Sequence, residues 1–179
     1  MRIIGGEHRS RILADIPGDN VRPTSDRARE ALFNILGTRV QGARVLDLFA
    51  GSGALGLESL SRGAKEATFN DLASGSVAIV KKNIATLKAE ARTKVYQTDF
   101  SAFLTAINAP FDLIFIDPPY RFDYGEKALQ MIAQKGLLTE NGIAVYERDR
   151  PFEGEIAGLD KYDERKYGKA YLTFFRREI

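Results

Sequence analysis

Two hydrophobic periods alternate along most of this chain. Strand-like stretches occur at Val45–Phe49, Ala67–Asn70, Lys94–Gln97, Leu113–Ile116 and Ile143–Tyr146. Between them, Leu55–Leu60, then Val77 with Val80, Ile84 and Leu87, then Ala102–Ile107 and Lys127–Gln134 follow a helical spacing. Leu113–Ile116 is apolar at every position, as a central parallel strand covered on both faces must be. Strands alternating with helices of this length predict an α/β fold built on a parallel sheet. The tail, Tyr162–Lys166 and Ala170–Phe175 about Gly168-Lys169, predicts a closing hairpin that supplies an antiparallel edge strand.

Upstream of residue 44 the pattern differs. Arg2–Ile4 and Arg9–Leu13, joined across Gly5-Gly6, predict a small hairpin arm over residues 1–20, ahead of a catalytic body over 21–179. Pro17-Gly18 marks a loop. Pro23-Thr24 offers a helix start, Ala28, Ala31, Leu32, Ile35 and Leu36 recur at helical spacing, and Gly37 follows as a stop. With 179 residues in total, a single domain is expected.

Composition narrows the chemistry mainly by exclusion. There is no cysteine and one histidine, so no thiolate metal site, disulfide framework, histidine-built metal centre or His-built triad is expected. No run of roughly 18 apolar residues and no signal-peptide stretch is visible; a cytoplasmic monomer without membrane contact is the expectation. The net charge is only +2, but it is unevenly spread. Residues 1–44 hold eight arginines against five acids, a net of +3, which leaves −1 for the remainder. Guanidinium forks suit phosphate oxygens, so Arg2, Arg9, Arg11, Arg22, Arg27 and Arg29 are candidate contacts to a nucleic-acid backbone. A merely solvated face is an equally good reading of charge alone.

One glycine-rich segment follows the first strand of the series. Gly51, Gly53 and Gly56 satisfy G-x-G-x-x-G, which by itself would equally suit a nicotinamide cofactor. Asp71, twenty residues beyond Gly51, closes the second strand where a carboxylate can meet ribose hydroxyls. Leu72 follows it. Asp99 closes the third strand, placed for an adenine amine with Phe100 against the ring, although a plain helix cap explains it as well. Phe49 belongs to the same edge. Asp47 tips the balance: an anion just before the loop disfavours a pyrophosphate and favours a cation. S-adenosylmethionine carries both a sulfonium and an ammonium.

Asp117-Pro118-Pro119-Tyr120 follows the apolar fourth strand and is the most specific signal in the chain. An exocyclic base amine is a poor nucleophile, because its lone pair is delocalised into the ring. Two acceptors on its N–H groups localise that pair toward a methyl donor. Asp117 supplies one, and a carbonyl of the Pro118-Pro119 segment supplies the other, held by the fixed φ of proline. Tyr120 offers a face for the base, which must be unpaired or flipped to reach it.

Taken together these residues resemble the RsmD family, which methylates the N2 amine of a guanine in bacterial small-subunit ribosomal RNA. The likeness covers nearly the whole chain: Met1-Arg-Ile-Ile-Gly-Gly6, Arg22-Pro-Thr through Phe33-Asn34, Leu46 through Glu58, Leu60 through Ala64, Phe111 through Tyr120, and Lys166-Tyr-Gly168. It implies a Rossmann-like, seven-stranded, mostly parallel sheet, S-adenosylmethionine, no metal, and ribosomal RNA as substrate, in assembling small-subunit particles. It also implies that Arg22–Asn34 lies over the cleft. After the second strand the family pattern is Phe-Val-Glu-x-Asp, whereas Phe69-Asn70-Asp71-Leu72-Ala73 lacks the second acid, a change that could alter cofactor affinity. Other readings are a DNA or RNA adenine-N6 methyltransferase, a nicotinamide oxidoreductase, and a non-catalytic RNA-binding protein. Against the DNA enzyme stands the lack of room for a target-recognition domain; against the oxidoreductase and the non-catalytic protein, the intact Asp117–Tyr120.

Overall fold

The computed structural model describes residues 1–17, 25–120 and 122–179. Its strands are β1 (Arg44–Asp47), β2 (Glu66–Asn70), β3 (Thr93–Tyr96), β4 (Phe111–Ile116), β5 (Leu138–Arg148), β6 (Leu159–Tyr167) and β7 (Ala170–Arg177). Its helices are α1 (Asp26–Leu36), α2 (Ala54–Ser61), α3 (Ser74–Thr86), α4 (Phe100–Ala106) and α5 (Tyr124–Lys135). All seven strands form one sheet in the order β3-β2-β1-β4-β5-β7-β6. Neighbours from β3 to β5 run parallel. The closing hairpin forms as expected: β7 inserts antiparallel beside β5, and β6, paired antiparallel with β7, takes the edge.

Strand β4 shows why the run Phe-Asp-Leu-Ile-Phe-Ile reads as apolar throughout. Leu113 and Phe115 point into one core, with Leu32, Phe33, Leu36, Leu57, Val80 and Ile84 from α1, α2 and α3. Ile114 and Ile116 point into a second core with Phe103, Leu104, Leu129 and Ile132 from α4 and α5. The period of two divides one apolar strand between two helix layers. β5 is longer than the expected Ile143–Tyr146, because its first residues pair with Phe111 before a register shift.

The N-terminal segment pairs as the expected hairpin: Arg2 bridges Ile12 in antiparallel fashion, and the amides of Ile3, Ser10 and Leu13 donate to the carbonyls of Arg11, Ile3 and Met1 at 2.9, 2.8 and 2.8 Å. Ile3 and Leu13 are buried in the first core, and that burial holds the segment against α2 instead of letting it project. The amides of Ile4 and Gly5 donate to Glu58 Oε1 and Oε2, both at 2.9 Å. Helix α1 begins from Ser25, whose hydroxyl accepts from the Ala28 amide; Pro23-Thr24, the expected start, and the Gly18 end of the expected loop lie outside the described residues. Among the described residues no helix is long and apolar enough to cross a membrane.

Candidate active site

The sheet order reverses between β1 and β4, and in doubly wound sheets ligands bind at the carboxyl ends of strands flanking such a reversal. Asp47 lies opposite Phe115 in the β1–β4 register, and the Leu48 amide donates to the Phe115 carbonyl at 3.1 Å. The glycine turn after β1 and the Asp117–Tyr120 segment after β4 therefore leave the sheet side by side. Residues 47 and 115, sixty-eight positions apart in the chain, are set opposite each other by this pairing.

The turn itself is built from backbone. Gly51 and Gly53 have φ of 57° and 85°, a region that L side chains rarely adopt. Gly56 needs to be glycine for a different reason: a Cβ there would lie 2.3 Å from Phe69 Cε1, so α2 packs on β2 with no room for a methyl. Two carboxylates hold the turn. Asp47 Oδ2 accepts from the Gly56 amide at 3.0 Å, and Asp71 Oδ2 accepts from the Gly51 amide at 2.9 Å. Asp47 is 2% exposed. Burial pushes its pKa up from 3.8 to about 7; the Gly56 bond opposes that rise and the nearby Asp71 charge adds to it.

Asp71, expected at the ribose, serves the backbone here. Its Oδ1 accepts from the Ala73 amide at 2.9 Å, so the side chain ties the end of β2 to the glycine turn and to the start of α3. Each of its oxygens keeps a second acceptor site. Leu72 stands 69% exposed beside it at the rim. Ala73 occupies the N-cap position of α3 with no side-chain cap bond. An acid at position 73 would therefore stand at the N-cap of α3.

Asp99 is the N-cap of α4: its Oδ2 accepts from the amides of Ser101 and Ala102 and from the Ser101 hydroxyl. The Ser101 side chain is the leading cause that holds its pKa below the usual value. The helix-cap reading is therefore realised. Phe100 leans on Phe49 at 5.3 Å and on Tyr124 at 5.1 Å between ring centroids. Phe122, two residues beyond Tyr120, stacks on Tyr124 at 4.8 Å. This aromatic wall along the carboxyl edge was only half visible in sequence, since Phe122 and Tyr124 carry no motif. Asp99, Phe100 and Tyr124 also border an open groove of about 380 Å³ between α4 and α5, lined further by Ser101, Lys127, Gln130, Met131 and Gln134.

Within the four-residue motif, Asp117 and Tyr120 are half-buried, Pro118 is buried and Pro119 is exposed. Two residues that sequence reasoning passed over support this end of the sheet. Asn70 donates through Nδ2 to the Thr98 carbonyl at 3.1 Å, joining the ends of β2 and β3. Asn83 in α3 donates to the carbonyls of Ala14 and Ser52, both at 3.0 Å, and accepts from the Ala14 amide at 2.7 Å. Asn83 thereby pins the N-terminal segment beside the glycine turn. Buried side-chain amides carry no sequence signature, so neither could have been singled out.

The arginine set divides. Arg9 and Arg27 are exposed. Arg2 is exposed with its Nε 3.3 Å from Asp26. Arg11 is exposed and donates to the Thr86 carbonyl at 2.9 Å, at the end of α3. Arg22 lies outside the described residues. Arg29 is a correction: at 1% exposure it cannot contact RNA from where it sits. Its guanidinium lies 3.7 Å from Glu58 and 3.1 Å from Asp26 and donates to the Arg2 carbonyl. Burial pulls its pKa down against those two acids. Its counterion Glu58, fully buried and also bound by Arg62 at 2.8 Å, demands a cation inside. Among the described residues no group of His, Asp and Glu is placed to hold a metal.

Comparison with known proteins covers the same span. The family model described as conserved hypothetical protein 95 matches residues 1–176. The Escherichia coli protein named ribosomal RNA small subunit methyltransferase D is 39% identical over 180 residues, which span 99% of this chain and 90% of that one. YlbH of Bacillus subtilis is 39% identical over 182 residues, 99% of each chain. The solved structure of yhhF from Escherichia coli superposes with a TM-score of 0.90 at 36% identity, covering 99% of this chain and 98% of that one.

Proposed function

This chain belongs to the RsmD family of ribosomal RNA methyltransferases, and from that premise we propose that it methylates the exocyclic N2 amine of one guanine in small-subunit ribosomal RNA. The observation that carries the reading is the β1–β4 pairing, which sets the glycine turn beside Asp117–Tyr120. Relatives named for ribosomal RNA supply the substrate class.

S-adenosylmethionine suits the turn: a buried Asp47 whose carboxyl is raised to about 7 is relieved by a cation, and a sulfonium donor brings one, together with an electrophilic methyl. Asp47 and the Gly51–Gly53 backbone would face the methionyl end. Asp71, with Leu72 at the rim, would receive the ribose, and Asp99 with Phe100 and Phe49 the adenine. Asp117 accepts one N–H of the target amine and a carbonyl of the Pro118-Pro119 segment accepts the other. These two acceptors hold the nitrogen lone pair toward the methyl, so positioning is the main catalytic contribution. Tyr120 gives the extruded base a face, worth roughly 1–3 kcal/mol for a stacked base. Arg2, Arg9, Arg11 and Arg27 meet backbone phosphates, and the chain acts as a cytoplasmic monomer on assembling small-subunit particles.

Label transfer from S-adenosylmethionine to undermethylated small-subunit RNA or particles tests this. Label is expected on guanine N2, and Asp117→Ala is expected to abolish it while S-adenosylhomocysteine still binds. Label confined to adenine, or to duplex DNA, overturns the assignment.

A further inference from the structure

The β6–β7 hairpin brings a second set of chemistry to the carboxyl edge of the sheet. Among the described residues, an open cleft of about 440 Å³ is lined by Tyr120, Asp149, Lys166, Lys169 and Tyr171. That volume falls within the roughly 300–1,000 Å³ usual for small-molecule sites. Only Tyr120 belongs to the motif already described; the other four come from the end of β5 and the hairpin. Register explains their meeting. Tyr171 on β7 lies opposite Arg148 of β5 on one side and Lys166 of β6 on the other. The turn at Gly168-Lys169 therefore closes over the end of β5, where Asp149 follows. Lys166, within the Lys166-Tyr167-Gly168 motif, has no part in the reading above.

The chemistry of the cleft is polarised. Lys166 and Lys169 make no ion pair among the described residues, and Lys166 Nζ sits 5.4 Å from the centre of the Tyr171 ring. Both lysines are exposed and Tyr171 is half-buried. Asp149 lines the same cleft and keeps its carboxylate 3.2 Å from Arg150. A bare anion matches the lysines but not the carboxylate. A nucleotide matches both, because it joins an anionic phosphate to a flat base that carries N–H donors. An extruded target also needs the strand beside it to be gripped, since leaving the stack costs a few kcal/mol.

We propose that this cleft is a second nucleotide subsite, which holds the RNA residue adjoining the methylated one. Lys166 and Lys169 take its phosphate, Tyr171 stacks its base, and Asp149 accepts from the base edge. This rests on the RNA-methyltransferase reading and adds to it a specific grip outside the Asp117–Tyr120 motif.

The test uses the whole protein and undermethylated small-subunit ribosomal RNA, reading binding across a salt series beside methyl transfer. Lys166→Ala with Lys169→Ala is expected to raise KM for RNA more than it lowers kcat. The same pair should flatten the dependence of log affinity on log salt by about 0.7 for each phosphate that is no longer neutralised, with S-adenosylhomocysteine affinity unchanged. Tyr171→Ala is expected to weaken RNA binding roughly 5- to 150-fold, the range of one missing base stack, while Tyr171→Phe restores it. RNA affinity and salt slope that stay at wild-type values in the lysine pair overturn the subsite, whatever the activity. So does a Tyr171→Phe variant as weak as Tyr171→Ala. A wild-type protein that binds RNA with these lysine and tyrosine effects but transfers no methyl overturns the methyltransferase reading and keeps the subsite. One that does not bind RNA overturns both.

Discussion

The Gly56 amide donates to Asp47 Oδ2 at 3.0 Å, a single hydrogen bond for a carboxyl that is otherwise sealed from water. One bond does not offset the desolvation of a full charge, so this acid stays partly protonated near neutrality.

A pH dependence follows from Asp47. Its folded pKa of about 7 lies above the ordinary 3.8, so between those values the folded state holds more protons than the unfolded one. Stability from this group is complete below about pH 4 and is lost as pH rises through about 7. Chemical denaturation from pH 5 to 8 should show this downward contribution in wild type relative to Asp47→Asn. A cationic ligand favours the charged form, so S-adenosylmethionine should bind about tenfold more tightly at pH 8 than at pH 6, with proton release. Calorimetry in two buffers reads that release; identical apparent enthalpies in both would sink the argument.

Restoring the family's acid at position 73 should stabilise the helix. Ala73 is the uncapped N-cap of α3, and Asp at that place is worth roughly 0.5–2 kcal/mol over Ala. Ala73→Asp should therefore raise the denaturation midpoint and leave S-adenosylhomocysteine affinity within about twofold, too small to count as a ligand contact. A large affinity gain with no change in stability would return this position to the cofactor.

Glu58 should be far costlier to remove than a surface acid. It is fully buried and accepts from two backbone amides of the N-terminal segment while it faces Arg29 and Arg62. Glu58→Ala removes the buried counterion shared by Arg29 and Arg62 and leaves Arg29 only the exposed Asp26, an effect of about 3–5 kcal/mol. Hydrogen exchange at Ile4 and Gly5 should accelerate well before global unfolding. Protection at those amides equal to wild type would show that another group holds the segment.

Gly56→Ala should be destabilising by overpacking. Its new methyl would meet the buried ring of Phe69, and such insertions cost about 1–3 kcal/mol. Phe69→Leu in the same chain should recover part of the deficit. A thermal midpoint unchanged by Gly56→Ala alone would mean that α2 can slide, contrary to the packing described.

The chain order of short apolar and amphipathic segments settled the layered α/β fold by itself, because periods of two and near four are local properties of sequence. The glycine turn was legible in the same way, because its residue types follow from backbone conformation, and Asp117–Tyr120 stood out as a string of residue types after an apolar strand. What no local pattern could settle is which groups meet. Arg29 looks like its exposed neighbours Arg9 and Arg27, yet the buried charge of Glu58, twenty-nine residues away, draws it inside. Asn83 and the cleft around Lys166 and Tyr171 likewise exist only once strand order and register are fixed. Burial and pairing between distant segments depend on the sum of interactions across the fold, and that sum is decided in three dimensions.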